Sequence, residues 1–207
     1  MTKEEFSNQL VNFVPKGSEA LLTDWIFNLK IALTITRNRK TKLGDFRTYN
    51  HKSQLKISVN GNLNPYSFLI TLVHEIAHAL VFKEYGHQTK PHGIEWKNQY
   101  KKLMVNFFAR NIFPDDITRP LAAYMKNPKA SSHSDTRLLK ALRNYDILQE
   151  ELLYLEDLKE GEDFILNGRI FQKGHKRRSR YSCIEINSNR EFAVSGMAEV
   201  ERIDKTH

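Results

Sequence analysis

The chain of 207 residues is short of three things, and each absence excludes something. It has a single cysteine, Cys183, so no disulfide can close within the chain and no cysteine-based zinc ribbon can form. It has no long uninterrupted apolar run. The most apolar stretch, Phe68 to Phe82, is broken by His74, Glu75 and His78 and reads as too short to span a bilayer, so no membrane partner is expected. Glycine (9) and proline (6) are few and scattered, with no internal repeat and no low-complexity segment, which sets aside collagen-like and disordered classes. The opening Met1-Thr2-Lys3-Glu4-Glu5-Phe6-Ser7 is polar and mixed in charge, unlike a secretory signal. A cytoplasmic location, with nucleoid association as one form of it, is the expectation.

What is present looks like ordinary globular material. Hydrophobic residues are 40% and charged residues 27%, and the length suits one or two domains with a proper core. Lys and Arg (32) exceed Asp and Glu (24), a net charge of +8 that favours polyanionic partners without saying anything of fold. The excess is uneven. Asp146 to Asp163 holds eight acids and one lysine, a local −7, which leaves +15 on the remaining residues. That acidic stretch reads as a solvated connector, or as a segment that covers the basic surface when no polyanion is bound.

Periodicity and punctuation organise the chain. Ser18 reads as an N-cap for a helix over Glu19 to Asn28. Alternation predicts strands over Lys30–Thr36, Asp45–Tyr49 and Gln54–Val59, with Asn50 to Ser53 as a turn. Asn64 caps, and Pro65 begins, a helix predicted to end at Tyr85 before Gly86. A second amphipathic helix is expected over Ile94–Ala109. A shorter one lies within Asn111–Lys129, with Pro114 and Pro120 at its edges, and another over Thr136–Asn144. Beyond Leu152 short alternating segments punctuated by Gly161, Gly168 and Gly174 predict a small antiparallel β module.

The chemistry concentrates in the Pro65–Tyr85 helix. His74-Glu75-Ile76-Ala77-His78 is an H-E-x-x-H pattern. Four residues make about 1.1 helical turns, so His74 and His78 stand one above the other, about 6 Å apart along the axis. Two neutral imidazoles so placed suit two corners of a tetrahedral zinc. Glu75, one position round the helix, can reach a water rather than the metal, which suits a general base. A catalytic zinc takes a third protein ligand and keeps one position open. His87, His92 and Glu95 are the candidates for that ligand. The metzincin spacing fails, because Val81 and Glu84 stand where its glycine and histidine belong.

His74-Glu75-x-x-His78 followed by His92-Gly93-x-x-Trp96 resembles the SprT-like (Spartan-type) metalloproteases, over about residues 15 to 110. The resemblance implies an α+β fold: a zincin-like metalloprotease core, built of a small antiparallel sheet, the H-E-x-x-H helix and the following helix, with a small C-terminal β module. It implies one catalytic zinc held by His74, His78 and His92, with Glu75 as the catalytic base. It divides the chain into a metalloprotease domain with a helical extension, 1–145, and a β module, 146–207. Many relatives carry a cysteine-based zinc ribbon in that second part; here Arg180-Tyr181-Ser182-Cys183 stands as its metal-free remnant. The implied activity is zinc-dependent hydrolysis of peptide bonds in proteins on, or crosslinked to, DNA.

One further feature bears on partners. Arg169, Lys173, Lys176, Arg177, Arg178 and Arg180 fall within twelve residues that contain no acid, beside Phe171 and Tyr181. Cations for phosphate and rings for unpaired bases make this a candidate nucleic-acid contact, single- or double-stranded DNA or RNA; a solvated turn that aids solubility is the other reading. Arg37, Arg39, Lys40 and Lys42 form a weaker basic cluster. Against the enzyme stands a second reading of the whole chain, a non-proteolytic, nucleic-acid-associated regulator of transcription with a structural or vestigial zinc.

Overall fold

The computed structural model describes residues 1–37, 39, 42–48, 54–131, 135–146, 153–178 and 180–203, and divides the chain into two compact units, Met1–Asp146 and Ile147–His207. The predicted turn at Asn50 to Ser53 lies outside the described residues, as do Lys40, Glu150 and Glu151. Among the described residues the architecture is mixed α and β: six α-helices and a small sheet in the first unit, and a sheet with one short 3-10 turn (Leu155–Asp157) in the second.

The first unit opens with α1 (Lys3–Leu10) and α2 (Glu19–Asn28). Ser18 does not cap α2 with its side chain; its backbone is already helical, and its hydroxyl donates instead to the Pro15 carbonyl at 2.5 Å. Three strands follow: β1 (Ala32–Thr36), β2 (Gly44–Arg47) and β3 (Lys56–Asn60). Their order is β1-β3-β2. Strand β3 runs parallel to β1 and antiparallel to β2, so the sheet is mixed and not antiparallel as the sequence led one to expect. Alternation marks which face of a strand is buried; it carries no information on the neighbour's direction. Among the described residues the order makes β2 an edge strand.

The long helix α3 (Pro65–Tyr85) ends where the sequence predicts. Asn64 accepts from the Ser67 amide at 2.9 Å, and Pro65 occupies the first turn, where its missing N–H has no cost. Gly86 closes the helix with φ +65, a conformation that favours glycine. At 21 residues α3 is long and apolar enough to cross a membrane by composition, but most of it is buried inside the unit as the core helix. Helix α4 (Ile94–Ala109) packs on it by one stripe: Trp96, Tyr100, Leu103, Met104 and Phe107 are buried, at i, i+4, i+7, i+8 and i+11. Tyr100 donates from its hydroxyl to the Ile70 carbonyl at 3.3 Å. Helix α5 (Asp115–Met125) begins after Pro114 but contains Pro120, which the sequence placed at an edge; the helix runs on and forgoes one hydrogen bond there. Helix α6 (Thr136–Arg143) is capped by Asp135, whose carboxylate accepts from the Arg137 and Leu138 amides.

The second unit is a five-stranded antiparallel sheet: β4 (Asp163–Leu166), β5 (Arg169–Lys176), β6 (Arg180–Glu185), β7 (Arg190–Ser195) and β8 (Glu201–Arg202), in the order β7-β6-β5-β4-β8. Asn167 and Gly168, both at positive φ, make the tight β4–β5 turn. The core here is small: Leu155, Leu158, Phe164, Phe171, Cys183, Val194 and Val200. Cys183 is fully buried among them, where it acts as a small apolar side chain.

Candidate functional site

Helix spacing brings His74 and His78 to one face of α3, and the chain then returns through the Gly86–Gly93 loop to present His92. The three Nε2 atoms lie 3.1 Å (His74–His92), 3.2 Å (His74–His78) and 3.0 Å (His78–His92) apart. A tetrahedral zinc with bonds near 2.05 Å sets its ligand nitrogens about 3.3 Å apart, so the spacing suits three of its four corners. Neutral imidazole carries one ring N–H, so three mutually close Nε2 atoms cannot all find partners in one another. A cation satisfies all three at once. Burial pushes each histidine below the ordinary range: His74 well below it, His78 down to about 4 with help from His92, and His92 to a lesser degree. All three are therefore neutral donors near pH 7.

His87 and Glu95, the other candidates for the third position, stand outside this cluster. His87 packs its ring on Phe82 at 5.0 Å. His92 takes a left-handed backbone at φ +58, sparsely populated for a residue with a β-carbon and costing about 1–3 kcal/mol. The following turn supports it: the Gly93 amide donates to the Lys90 carbonyl at 2.9 Å before α4 begins.

Trp96 is the residue whose role the motif undersold. Its ring lies 4.5 Å from His74, 5.3 Å from His78 and 4.7 Å from His92, centroid to centroid, a wall behind all three imidazoles. Its indole N–H donates to the His74 carbonyl at 3.3 Å, tying α4 to α3 at the site. The aromatic in H-G-x-x-Trp96 was visible in the sequence; that it backs the whole cluster was not.

Glu75 is buried and held by β2. The Phe46 amide donates to its carboxylate. Gly44 lies so close that a β-carbon there would sit 2.8 Å from Glu75 Oε1 and 2.7 Å from Thr71 Cγ2. Burial raises the Glu75 carboxyl to about 8 and Asp45 pushes the same way, while the Phe46 amide, Arg39 and Lys42 pull it back. Without a cation beside it, this carboxyl is largely protonated at neutral pH; a metal held by the histidines would draw it toward the ionised base. Phe46 also lies parallel to the His78 ring at 6.5 Å, so one short strand touches both the carboxylate and a candidate ligand.

The basic residues fare unevenly. Lys173 is buried, its ammonium donating to the carbonyls of Leu158 at 2.5 Å and Glu156 at 3.3 Å, 4.1 Å from the Tyr181 ring centroid. It does not face solvent with the others. Arg169 pairs with Glu185 at 2.5 Å and lies over the Phe171 and Phe192 rings, and Arg177 pairs with Glu191 at 2.6 Å. Lys176, Arg178 and Arg180 are exposed around the β5–β6 turn. In the first unit Arg39 turns inward to Asn60 and Ser58, and Lys42 pairs with Asp45 at 2.8 Å.

Residues 15–117 match the family model described as the SprT-like family, a segment that contains every residue of the histidine cluster together with Glu75, Gly44 and Trp96. No curated protein and no solved structure matches the chain.

Proposed function

The chain belongs to the SprT-like family through residues 15–117, and from that premise we propose that it is a zinc-dependent metallopeptidase with a zincin-like core. The observation that carries this reading is the meeting of three neutral imidazoles at 3.0–3.2 Å with a buried carboxylate on the same helix. A site that only stabilised a fold would have no use for Glu75. His74, His78 and His92 would hold the zinc, which when bound supplies a Lewis acid for the scissile carbonyl and acidity for a water. Glu75 takes the proton of the attacking water and returns it to the leaving amine. The Phe46 amide fixes the carboxylate for that transfer.

Strand β2 offers the substrate its place. It is an edge strand, and its residues touch both Glu75 and His78. An extended peptide can pair with its outer edge by main-chain hydrogen bonds, with the scissile bond alongside the histidines. The exposed cations Lys176, Arg178 and Arg180 of the second unit support a DNA contact, and with it substrates that are proteins bound or crosslinked to DNA in the cytoplasm.

The test is Glu75→Gln. The variant is expected to bind one zinc as the wild type does and to lose cleavage of a protein presented on single- or double-stranded DNA. A wild-type protein that holds its zinc yet cleaves nothing, with or without DNA, would return the chain to the reading of a non-proteolytic nucleic-acid-associated regulator.

A further inference from the structure

A cavity of about 480 Å³ opens directly beside the histidine cluster and shares His78, His92 and Trp96 with it. Its buried floor is apolar: Val81, Phe82 and Trp96, with Phe46 half-buried at one side. Its exposed rim carries Arg47 and Lys90. No carboxylate lines it among the described residues. We propose that this cavity is a specificity subsite that takes a large apolar side chain next to the scissile bond, favours a carboxylate on the adjoining substrate residue, and rejects lysine and arginine.

The assignment rests on the reading of the adjacent cluster as the catalytic metal centre, because only that makes the cavity flank a scissile bond. Its chemistry follows from the lining. An aromatic or long aliphatic side chain exchanges water for Val81, Phe82 and Trp96, the largest favourable term on offer. A lysine or arginine there would bring a charge against an apolar floor with no acid to pair it, beneath two cations. A carboxylate at the mouth meets Arg47 and Lys90 instead. Arg47 is already paired with Asp45, which fixes its guanidinium at the rim and tempers its pull. Lys90 is therefore the freer determinant. Its backbone is set by the turn in which its carbonyl accepts from Gly93.

The consequence for the proposed substrates is specific. Proteins that bind DNA present basic surfaces, and such a subsite would direct cleavage away from their Lys- and Arg-rich tracts, toward apolar or acidic segments beside them.

The experiment measures binding and cleavage separately. Zinc-loaded Glu75→Gln protein is titrated with fluorescent hexapeptides that share a central Phe and differ at the next residue, Glu, Ala or Lys. The wild type is run on the same peptides for cleavage. The Glu peptide is expected to bind about fivefold tighter than the Lys peptide, the scale of a solvent-facing charge pair. Adding Lys90→Glu, an exposed change that leaves zinc content as it was, should abolish or invert that order. Equal affinity for the three peptides, or an order indifferent to Lys90→Glu, overturns the assignment. Binding in the stated order without any cleavage by the wild type keeps the cavity as a peptide-binding pocket with this preference, and removes the peptidase and with it the pocket's place beside a scissile bond.

Discussion

Gly44→Ala should damage catalysis more than it damages the fold. A β-carbon at this position would lie 2.7 Å from Thr71 Cγ2, 2.8 Å from Glu75 Oε1 and 3.0 Å from Glu75 Cγ. Ordinary carbon contacts begin at about 3.5 Å, so the overlap is roughly 0.5–0.8 Å on each atom. Thr71 and Glu75 are both buried on α3, which is itself packed into the core, so the helix cannot retreat. Either β2 bows outward or the carboxylate swings off the Phe46 amide. Overpacking of this kind costs about 1–3 kcal/mol of stability. A misplacement near 1 Å at a proton-transfer group costs about a hundredfold in rate. The expected outcome is kcat reduced about a hundredfold with KM and zinc stoichiometry little changed, and a modest drop in Tm. Thr71→Ser removes the methyl that is struck hardest and leaves the collision with Glu75. The double variant should therefore regain stability without regaining kcat. A Gly44→Ala protein with wild-type kcat, or full recovery of kcat by Thr71→Ser, would show that Gly44 accommodates the wall of the site and not its base.

In the metal-free protein Glu75→Gln should stabilise the fold at alkaline pH. The carboxyl is raised from 4.5 to about 8 by burial, so its contribution is present below about pH 4.5 and is lost as pH rises through about 8, at about 1.4 kcal/mol per unit. Melting with a chelator should then show the Gln variant ahead by a few kcal/mol at pH 9 and level at pH 4, and saturating zinc should narrow the gap; parallel curves at both pH values would refute the burial argument. His92→Ala should lose stoichiometric zinc while His87→Ala and Glu95→Ala keep it, read as metal per chain after gel filtration. Lys173→Met leaves the Leu158 and Glu156 carbonyls without their donor and should cost the second unit about 1–3 kcal/mol while leaving DNA affinity unchanged, whereas Arg178→Ala and Arg180→Ala should weaken DNA binding without lowering Tm. Asn64→Ala removes the α3 cap and the side-chain bond to the Leu142 carbonyl, with an expected loss of about 1–2 kcal/mol in denaturant melts.

Much of this was legible in the chain because its signals are local. Both ends of α3 and the start of α4 fall where Asn64-Pro65, Gly86 and Gly93 put them, since caps and helix breakers act within one turn. The pair His74 and His78 follows from helical pitch alone. The third position stayed open between His92, His87 and Glu95 because it depends on a loop, and the left-handed φ of His92 that turns its ring to the cluster has no marker in the sequence. The parallel pairing of β1 with β3 was hidden for the same reason, being a choice of partner made across about twenty residues. Two features had signals that composition obscured. Thr2 and Glu5 form a capping box that starts α1, the T-x-x-E pattern written in the first five residues. Lys173 shares the inward face of β5 with Phe171, two residues away, so period-two alternation already separated it from the exposed cations that charge counting grouped with it.

The places where local rules fail are concentrated, and that concentration is itself an argument. Over most of the first unit propensity, capping and burial agree. At the junction of α3, β2 and the start of α4 they conflict: a carboxyl is buried and raised to about 8, three half-buried imidazoles are lowered, and a histidine holds a left-handed backbone. At neutral pH the Glu75 carboxyl and the His92 backbone oppose folding of the metal-free chain, whereas the lowered imidazoles oppose it only in acid, below the ordinary histidine range. A single divalent cation at the three Nε2 atoms relieves most of them together, because it engages the neutral imidazoles, favours the ionised form of Glu75 and rewards the strained His92 with a bond. Zinc affinity and folding should therefore be coupled more tightly than three ligands on a relaxed scaffold would require. His92→Gly separates the two contributions. Glycine accepts φ +58 freely, so the metal-free variant should be more stable than the wild type, while the zinc-induced rise in Tm should largely disappear. A wild-type protein whose Tm is the same with zinc and with chelator would mean that the buried groups are satisfied without a metal, and that the conflicts at this junction have another cause.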